Sequence, residues 1–525
     1  MHTVQNRRLE RIIILALGVA AVAWIIYVHF RAAVLPYDDA YILYRYGDYF
    51  SQGKGLIYNV GEHAWGFSTV TFIFWLAMWR HIAPHVPLPE LAVRVSALPF
   101  AAVGIAVFLL ILRYSGKLVL ALITAGLVVI NPALLAISTG GMESYLFLSL
   151  LLFSLLAADS DKPVLAGFLG GLAFLTRLEG GLIVAPILAL YFVRDRKALL
   201  RMSLGMSILP LIWLAFAWRY YGTLIPHSVL AKSRPIYVLP RLYTSARILM
   251  HLGRALLVPG IPLLLFCLGL STAACFLHPK LRARSAWAVP LFFWGLFCMY
   301  SIGNPLLFEW YWPWFLVPAI MIIALGASAL ADRIAASDRS HPRFAATAVT
   351  GLFGIWMLGA AVSVAALPLE QFSPNWPISR IGSETGRLRC KTYREAAEWL
   401  NSRRKPGETV MAPEIGALGY YLEGNLIDAC GLVSPKAIRY LPVPANERVS
   451  GDIGPIPLAL VHDMQPDFIV TMPVFAEKNV LDDPWAKATY QVVTEFKLPM
   501  KAYHDSDRVL ILKRDPSAAS VSAAR

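Results

Sequence analysis

Apolar runs long enough to cross a bilayer recur along the first two thirds of the chain. A helix needs about 20 mostly apolar residues to cross the hydrocarbon core. We predict single spans at 11–30, 91–112, 118–137, 143–158, 202–220, 257–277, 286–302, 312–331 and 344–367. A further apolar stretch at 163–193 is interrupted by the string TRLEG, which predicts two short helices that meet at a polar turn. The pattern therefore predicts a polytopic α-helical membrane protein with about eleven transmembrane helices.

The apolar segment from Phe67 to Ala83 decides the predicted topology. If it spans the membrane, the basic clusters within 113–117, 194–201, 280–284 and 333–343 all lie outside, against the positive-inside rule. If it lies along the outer interface, as its tryptophans and basic residues allow, the clusters lie inside with the N-terminus. We therefore predict a cytoplasmic-membrane protein with a cytoplasmic N-terminus, a first outer loop at 31–90 and an extracytoplasmic C-terminus.

Composition supports the membrane assignment. Hydrophobic residues make up 57% of the 525 residues, and only 15% are charged, against roughly 25% in a typical soluble domain. The net charge of +14 would suggest a nucleic-acid partner in a soluble protein. Here the basic residues form short clusters between apolar runs, which is typical of cytoplasmic loops, so we predict membrane lipids and no nucleic acid as partners.

The chain changes to an ordinary soluble composition at about residue 368. Helical spacing predicts a helix at 393–402, and short apolar runs predict strands at 408–412, 426–429, 468–472, 491–496 and 509–512. We therefore predict a transmembrane domain at 1–367 and a small α/β domain at 368–525. Cys390 and Cys430 lie in this tail, where an oxidising compartment would allow a disulfide between them, and two free thiols are the alternative.

Candidate chemistry begins just after the first predicted span, at Asp38 and Asp39. Two close carboxylates raise the pKa of one of them, which suits a general base or a cation site. The alternative is that one of them caps the following helix. A divalent metal is possible, and the residues identify no cofactor.

Five strings resemble one family. They are DDAYILYRYGDYFSQGKGLIYNVGEHAWGFS at 38–68, STGGMES at 138–144, TRLEG at 176–180, YGTLIPHSVLAKS at 221–233 and EIGALGYYLEGNLIDACGLVSPKA at 414–437. Together they resemble the GT-C class of membrane glycosyltransferases that use polyprenyl-phosphate sugars. The resemblance is greatest to the branch that contains the mycobacterial terminal arabinofuranosyltransferases.

The resemblance implies a GT-C fold and an inverting transfer in which a carboxylate removes the proton of the acceptor hydroxyl. Carried onto this sequence, that carboxylate is Asp38, with Asp39 as its neighbour or alternate. The leaving phosphate needs cationic donors, and the candidates are Arg45, Arg177, Lys232 and His227. For each of these the alternative is a structural or headgroup-binding cation.

Further polar and aromatic residues are candidates for binding the sugar or the acceptor. Glu143 and Glu179 are candidates to orient hydroxyl groups, or alternatively to form buried ion pairs. The aromatic candidates Tyr37, Trp65 and Tyr221 suit stacking on a sugar ring, or alternatively belong to the aromatic belt of the membrane interface.

We therefore expect a glycosyltransferase that moves a sugar from a polyprenyl-phosphate donor to a cell-envelope glycan or lipid acceptor on the outer side of the cytoplasmic membrane. The main alternative is a transporter or flippase of lipid-linked sugars, for which inverted repeats and midplane charges would be expected. A second is a non-catalytic assembly protein whose tail binds an envelope glycan. The donor sugar, the acceptor and the linkage are not readable from the sequence.

Overall fold

A computed structural model describes most of the chain. The described residues are 2–32, 34–182, 184–185, 187–188, 195–234, 239–337, 348–356, 359, 384–448, 456–498, 501 and 506–515. The predicted span at 344–367 and the predicted domain boundary at 367 lie largely outside them. The chain divides into two compact units: residues 1–34, 92–210 and 242–382 form unit 1, and residues 35–91, 211–241 and 383–525 form unit 2.

Helices dominate both units. In chain order they are α1 (His2–Arg31), α2 (Asp38–Ser51), α3 (Val70–Ile82), α4 (Leu88–Val95), α5 (Ala97–Ser115), α6 (Leu118–Ile130), α7 (Pro132–Ser138), α8 (Ser144–Asp159), α9 (Pro163–Thr176), α10 (Arg196–Tyr221), α11 (His227–Ser233), α12 (Tyr243–Ala255), α13 (Ile261–Leu277), α14 (Pro279–Ala283), α15 (Ala288–Gly303), α16 (Pro313–Ser337), α17 (Glu384–Arg403), α18 (Gly416–Tyr421), α19 (Leu458–Met464), α20 (Pro473–Ala476) and α21 (Pro484–Thr489).

Several helices are long and apolar enough to cross a bilayer. Within the described residues there are four such helical segments, at Ile12–Arg31, Leu88–Ser115, Arg196–Tyr221 and Glu309–Ala336, and five if α6 and α7 form one bent span. Helix α3 has 13 residues and is about 20 Å long, too short for a straight crossing of about 30 Å. Helix α9 has 14 residues, which agrees with the short helix predicted before the polar turn at 176–180.

Polar breaks in the apolar pattern mark real breaks in the helices. The axis bends by 55° between α6 and α7, where Pro132 cannot continue the helix and the Asn131 side chain accepts the amide hydrogen of Leu134 at 3.1 Å. Helix α9 ends at Thr176, and Arg177 is extended before a short 3-10 turn at Leu178–Gly180. The predicted interruption at 176–180 is confirmed.

Glycines bring two helices of unit 1 into backbone contact. A Cβ atom at Gly167 of α9 would lie 2.0 Å from the carbonyl oxygen of Met202 in α10, and one at Gly171 would lie 2.6 Å from that of Met206. In return, a Cβ at Gly205 would lie 2.6 Å from the carbonyl oxygen of Val164. Small residues at four-residue spacing are how membrane helices approach closely.

The tail folds around one mixed sheet, which confirms the predicted α/β architecture. Its strands are β1 (Val410–Ala412), β2 (Leu426–Asp428), β3 (Phe468–Thr471), β4 (Tyr490–Lys497) and β5 (Arg508–Arg514). Their order is β2-β1-β3-β5-β4; β1 runs parallel to β2 and β3, and β5 runs antiparallel to β3 and β4. All five strands and the helix predicted at 393–402 are present.

Unit 2 combines the first loop with this tail in one compact body. The loop carries two helices, α2 and α3, and the α2 side chains from Ala40 to Asp48 are all buried. This grouping differs from a division at residue 367, because residues 35–91 pack with residues that lie more than 300 positions later in the chain.

Candidate active site

The Asp38 carboxylate is fixed in unit 2 by main-chain amides of the tail. Asp38 is the first residue of α2, and its neighbour Tyr37 forms no side-chain capping hydrogen bond. The amide of Ala417 donates to Asp38 Oδ1 at 2.9 Å, and that of Gly416 donates to Oδ2 at 3.2 Å. The Asp38 side chain therefore binds the start of α18, and the residue is only 8% exposed.

Of the two cysteines in the tail, Cys390 lies next to Asp38. The Cys390 sulfur lies 3.8 Å from Asp38 Oδ1 and the same distance from the carbonyl oxygen of Pro36. The Cys430 sulfur donates to the carbonyl oxygen of Pro413 at 3.4 Å. The two cysteines are separate thiols, so the predicted disulfide between them is wrong: each sulfur is held against a different oxygen acceptor.

Glu414 is a buried acid that sequence analysis did not assign to the site. Arg389 contacts its Oε1 at 2.8 Å, and the Tyr393 hydroxyl donates to its Oε2 at 2.7 Å. Burial raises the pKa of Glu414 to about 7, although the positive charge of Arg389 opposes the shift. The signal in the sequence is the string EIGAL next to a predicted strand, whose small residues are more typical of a tight turn for packing.

Asp428 holds the following turn together and was also not predicted. Its two oxygens accept the amides of Cys430 at 2.8 Å and of Val433 at 2.9 Å. Burial raises the pKa of Asp428 to about 6, and these backbone hydrogen bonds act in the opposite direction.

The charges of Lys232 and Asp39 both act on the thiol of Cys430. Burial and the negative charges of Asp428, Glu414 and Asp39 raise the pKa of the Cys430 thiol, whereas Lys232 lowers it. Lys232 lies on α11 and is exposed, while Asp39 is half-buried. Asp38, Asp39 and Lys232 all belong to unit 2, and the charges of Asp39 and Lys232 both act on Cys430.

Arg45 has a set of contacts different from the one predicted for it. Its guanidinium donates to the carbonyl oxygens of Tyr58 at 2.7 Å and Leu422 at 3.2 Å, and also to that of Gly424. The residue is 2% exposed, and its guanidinium lies over the Tyr58 ring at 4.7 Å. These contacts join the first loop to the tail and use three of the five guanidinium N–H donors.

His227 packs with Trp65, which in turn packs with Tyr221. The amide of Trp65 donates to His227 Nδ1 at 3.0 Å, and the amide of His227 donates to the carbonyl oxygen of Trp65 at 2.8 Å. An accepting Nδ1 leaves the proton of the neutral ring on Nε2, and burial lowers the pKa of His227. Trp65 stacks on Tyr221 at 5.8 Å. Trp65, Tyr221 and Tyr37 are all buried.

The remaining candidates form a separate cluster in unit 1. Arg177 contacts Glu143 at 3.0 Å and Glu179 at 3.3 Å. Its guanidinium also lies 4.8 Å from the ring centres of Tyr311 and Trp314. The alternative of a buried ion pair is therefore what these residues form, and two carboxylates already face the single guanidinium.

No metal site is formed among the residues that the structure describes: they contain no group of three or more histidine, cysteine, aspartate or glutamate side chains with metal-binding geometry.

Comparisons with known proteins identify the fold. The structure of ArnT from Cupriavidus metallidurans bound to undecaprenyl phosphate matches with a TM-score of 0.55 and 15% identity, covering 95% of this chain and 97% of that one. Its apo structure matches with a TM-score of 0.57 and 14% identity over the same shares. The archaeal oligosaccharyltransferase AglB from Archaeoglobus fulgidus, in complex with an inhibitory peptide and a dolichol-phosphate, matches with 0.54 and 12% identity, covering 95% of this chain and 74% of that one.

The sequence comparisons are narrower. The family described as Domain of unknown function (DUF8728) matches residues 383–513, which is most of the tail. A search of curated proteins found no match. The chain is therefore a mostly helical membrane protein with a GT-C-like fold, structurally similar over most of its length to polyprenyl-phosphate sugar transferases.

Proposed function

We propose that this protein is an inverting glycosyltransferase that takes a sugar from a polyprenyl-phosphate donor. The observation that carries the proposal is the carboxylate pair at the start of α2, in a chain with a GT-C-like fold. The acceptor hydroxyl attacks the anomeric carbon, and its proton passes to the carboxylate. The bond from that carbon to the phosphate oxygen breaks, and its electron pair leaves with the polyprenyl phosphate.

Asp38 is the proposed base and Asp39 the alternate. A carboxylate has about four lone-pair positions, and the two amides and the Cys390 thiol occupy three of those of Asp38. Capacity therefore remains for one hydroxyl group, held at a fixed orientation. Lys232 and the Nε2–H of His227 are the proposed phosphate donors. We propose a structural role for Arg45, which binds carbonyl oxygens. We propose the same for Arg177, which binds Glu143 and Glu179.

We base the proposed topology, acceptor and family branch on the sequence. We propose about eleven spans, a cytoplasmic N-terminus and a site on the outer side of the cytoplasmic membrane. The acceptor would be an envelope glycan or lipid, and the sequence strings favour the terminal arabinofuranosyltransferase branch. Tyr37, Trp65 and Tyr221 remain the proposed aromatic residues of the site, and Trp65 and Tyr221 are stacked on each other.

A panel of synthetic polyprenyl-phosphate sugars, offered to the purified protein in nanodiscs with envelope glycan acceptors, tests this function. We expect one sugar to be transferred with inverted configuration, and turnover to fall by about a hundredfold or more in either Asp38→Asn or Asp39→Asn, whichever removes the base. Movement of intact lipid-linked sugar across vesicles, without transfer of sugar, would instead identify a flippase.

A further inference from the structure

The tail contacts the first loop at the residue proposed as the base. The loop at 413–417 comes directly after β1, and its last two amides are the donors that bind Asp38. The carbonyl oxygen of Ile415, in the same loop, accepts the hydroxyl of Tyr58 at 2.6 Å. Two residues of the first loop, Asp38 and Tyr58, are therefore hydrogen-bonded to these five residues of the tail.

The approach at Gly416 leaves no room for a side chain. A Cβ atom there would lie 2.0 Å from the carbonyl oxygen of Asp38 and 2.5 Å from its Cγ. Contacts under 3.0 Å force something to move, and here the nearest atoms are backbone. The distance at which Asp38 is held thus depends on a glycine at this position.

A buried charged group fixes the loop in turn. Arg389 and Tyr393 are one turn apart on α17 and both contact the Glu414 carboxylate. The side chains of Arg389 and Glu414 are 11% and 10% exposed. The other charged groups that act on Glu414 are Asp38 and Asp39. The Glu414 carboxyl group therefore links the loop to α17, while the Glu414 backbone continues to the amides that bind Asp38.

We propose that the tail, a domain of a family without an assigned function, positions the catalytic base: the loop 413–417, fixed by Arg389, Glu414 and Tyr393, sets the orientation of the Asp38 carboxylate. This role rests on the proposed function. It differs from a tail that binds acceptor glycan, because a positioning domain changes the rate of the chemical step, whereas an acceptor-binding domain changes the KM for acceptor.

The first test separates these roles kinetically. Glu414→Gln preserves shape and removes the charge that binds Arg389, and Tyr393→Phe removes one hydrogen bond. We expect kcat to fall by about tenfold to a hundredfold in Glu414→Gln, as for a misplaced catalytic group, and by less in Tyr393→Phe. Both KM values should stay within about twofold of wild type.

The second test does not depend on activity. Cys390 is 3% exposed and contacts Asp38, so its alkylation, measured by peptide mass analysis, reports release of the loop. Gly416→Ala should increase labelling of Cys390 at least about tenfold if opening becomes easier by 1.4 kcal/mol or more. Gly269→Ala is the matched control, because a Cβ there meets nothing within 4 Å. Labelling of Cys390 in the same variant unfolded in denaturant gives the reference in every case.

The results distinguish the two proposals. An unchanged kcat in Glu414→Gln with a raised KM for acceptor would overturn the positioning role, as would protected Cys390 in Gly416→Ala. If Gly416→Ala shows increased labelling and the wild-type protein transfers no sugar, the contact between the loop and Asp38 is supported. Only the proposed function is then overturned.

Discussion

Arg45→Lys is predicted to destabilise unit 2 rather than to weaken binding of the donor. The guanidinium makes three hydrogen bonds to carbonyl oxygens, those of Tyr58, Leu422 and Gly424, at a site only 2% exposed. An ammonium group lacks the planar fork that satisfies three separate acceptors. If two of these bonds are lost at about 1.5–3 kcal/mol each, the free energy of unfolding falls by about 3–6 kcal/mol.

Hydrogen exchange provides the assay. A loss of about 3 kcal/mol in the free energy of local opening accelerates exchange by roughly a hundredfold. The acceleration should be greatest for amides of α2 and of the turn at 422–426, next to the lost bonds. Arg403→Lys is the matched control, because Arg403 is exposed on the tail. Unchanged exchange in Arg45→Lys together with weaker binding of a lipid-phosphate analogue would refute this reasoning and favour the phosphate-binding role predicted from sequence.

Four further outcomes are expected. Lys232→Ala should weaken binding of a non-hydrolysable lipid-phosphate analogue by about 1.5–3 kcal/mol in a titration; unchanged affinity would remove Lys232 from the phosphate site. Because the folded-state pKa of Glu414 is raised to about 7 from 4.5, folding binds its proton and the associated stability is lost as the pH rises through that range; thermal unfolding of wild type should show a gain of about 2 kcal/mol from pH 8 to 5.5 that is missing in Glu414→Gln, and equal pH responses would contradict this. Gly167→Ala should destabilise the packing of α9 on α10, whereas Gly126→Ala, with nothing within 4 Å of its Cβ, should be neutral or stabilising by up to about 1 kcal/mol; the same melting temperature in both variants would argue against the close approach. A reporter that is active only in the cytoplasm, fused after Arg525, should stay silent, and a working reporter would reverse the predicted topology.

Features set by neighbouring residues were predictable from the sequence. Alternation and apolar runs located the five strands of the tail, and the polar string at 176–180 located the break after α9. The burial of Tyr393, Ala396, Ala397 and Leu400 on one face of α17 also follows from their spacing.

Features set by distant residues were not predictable in this way. Asp38 and its amide donors are 378 and 379 residues apart, and no periodicity relates them. Arg45 was assigned to phosphate because a basic residue in an outer loop has the same pattern whether it binds a ligand or a carbonyl oxygen. The disulfide prediction failed for a related reason: composition indicates a compartment, but the oxygens that face the Cys390 and Cys430 sulfurs depend on the fold.

The contact between Asp38 and the tail also has a consequence for biosynthesis. The carboxylate leaves the ribosome long before its donors at Gly416 and Ala417, which follow 378 and 379 residues later. Such a long sequence separation makes this contact one of the last to form. A nascent chain can therefore insert its early helices while its acidic pair is still unordered, and it would acquire an oriented carboxylate only when the tail has reached its own side of the membrane and folded.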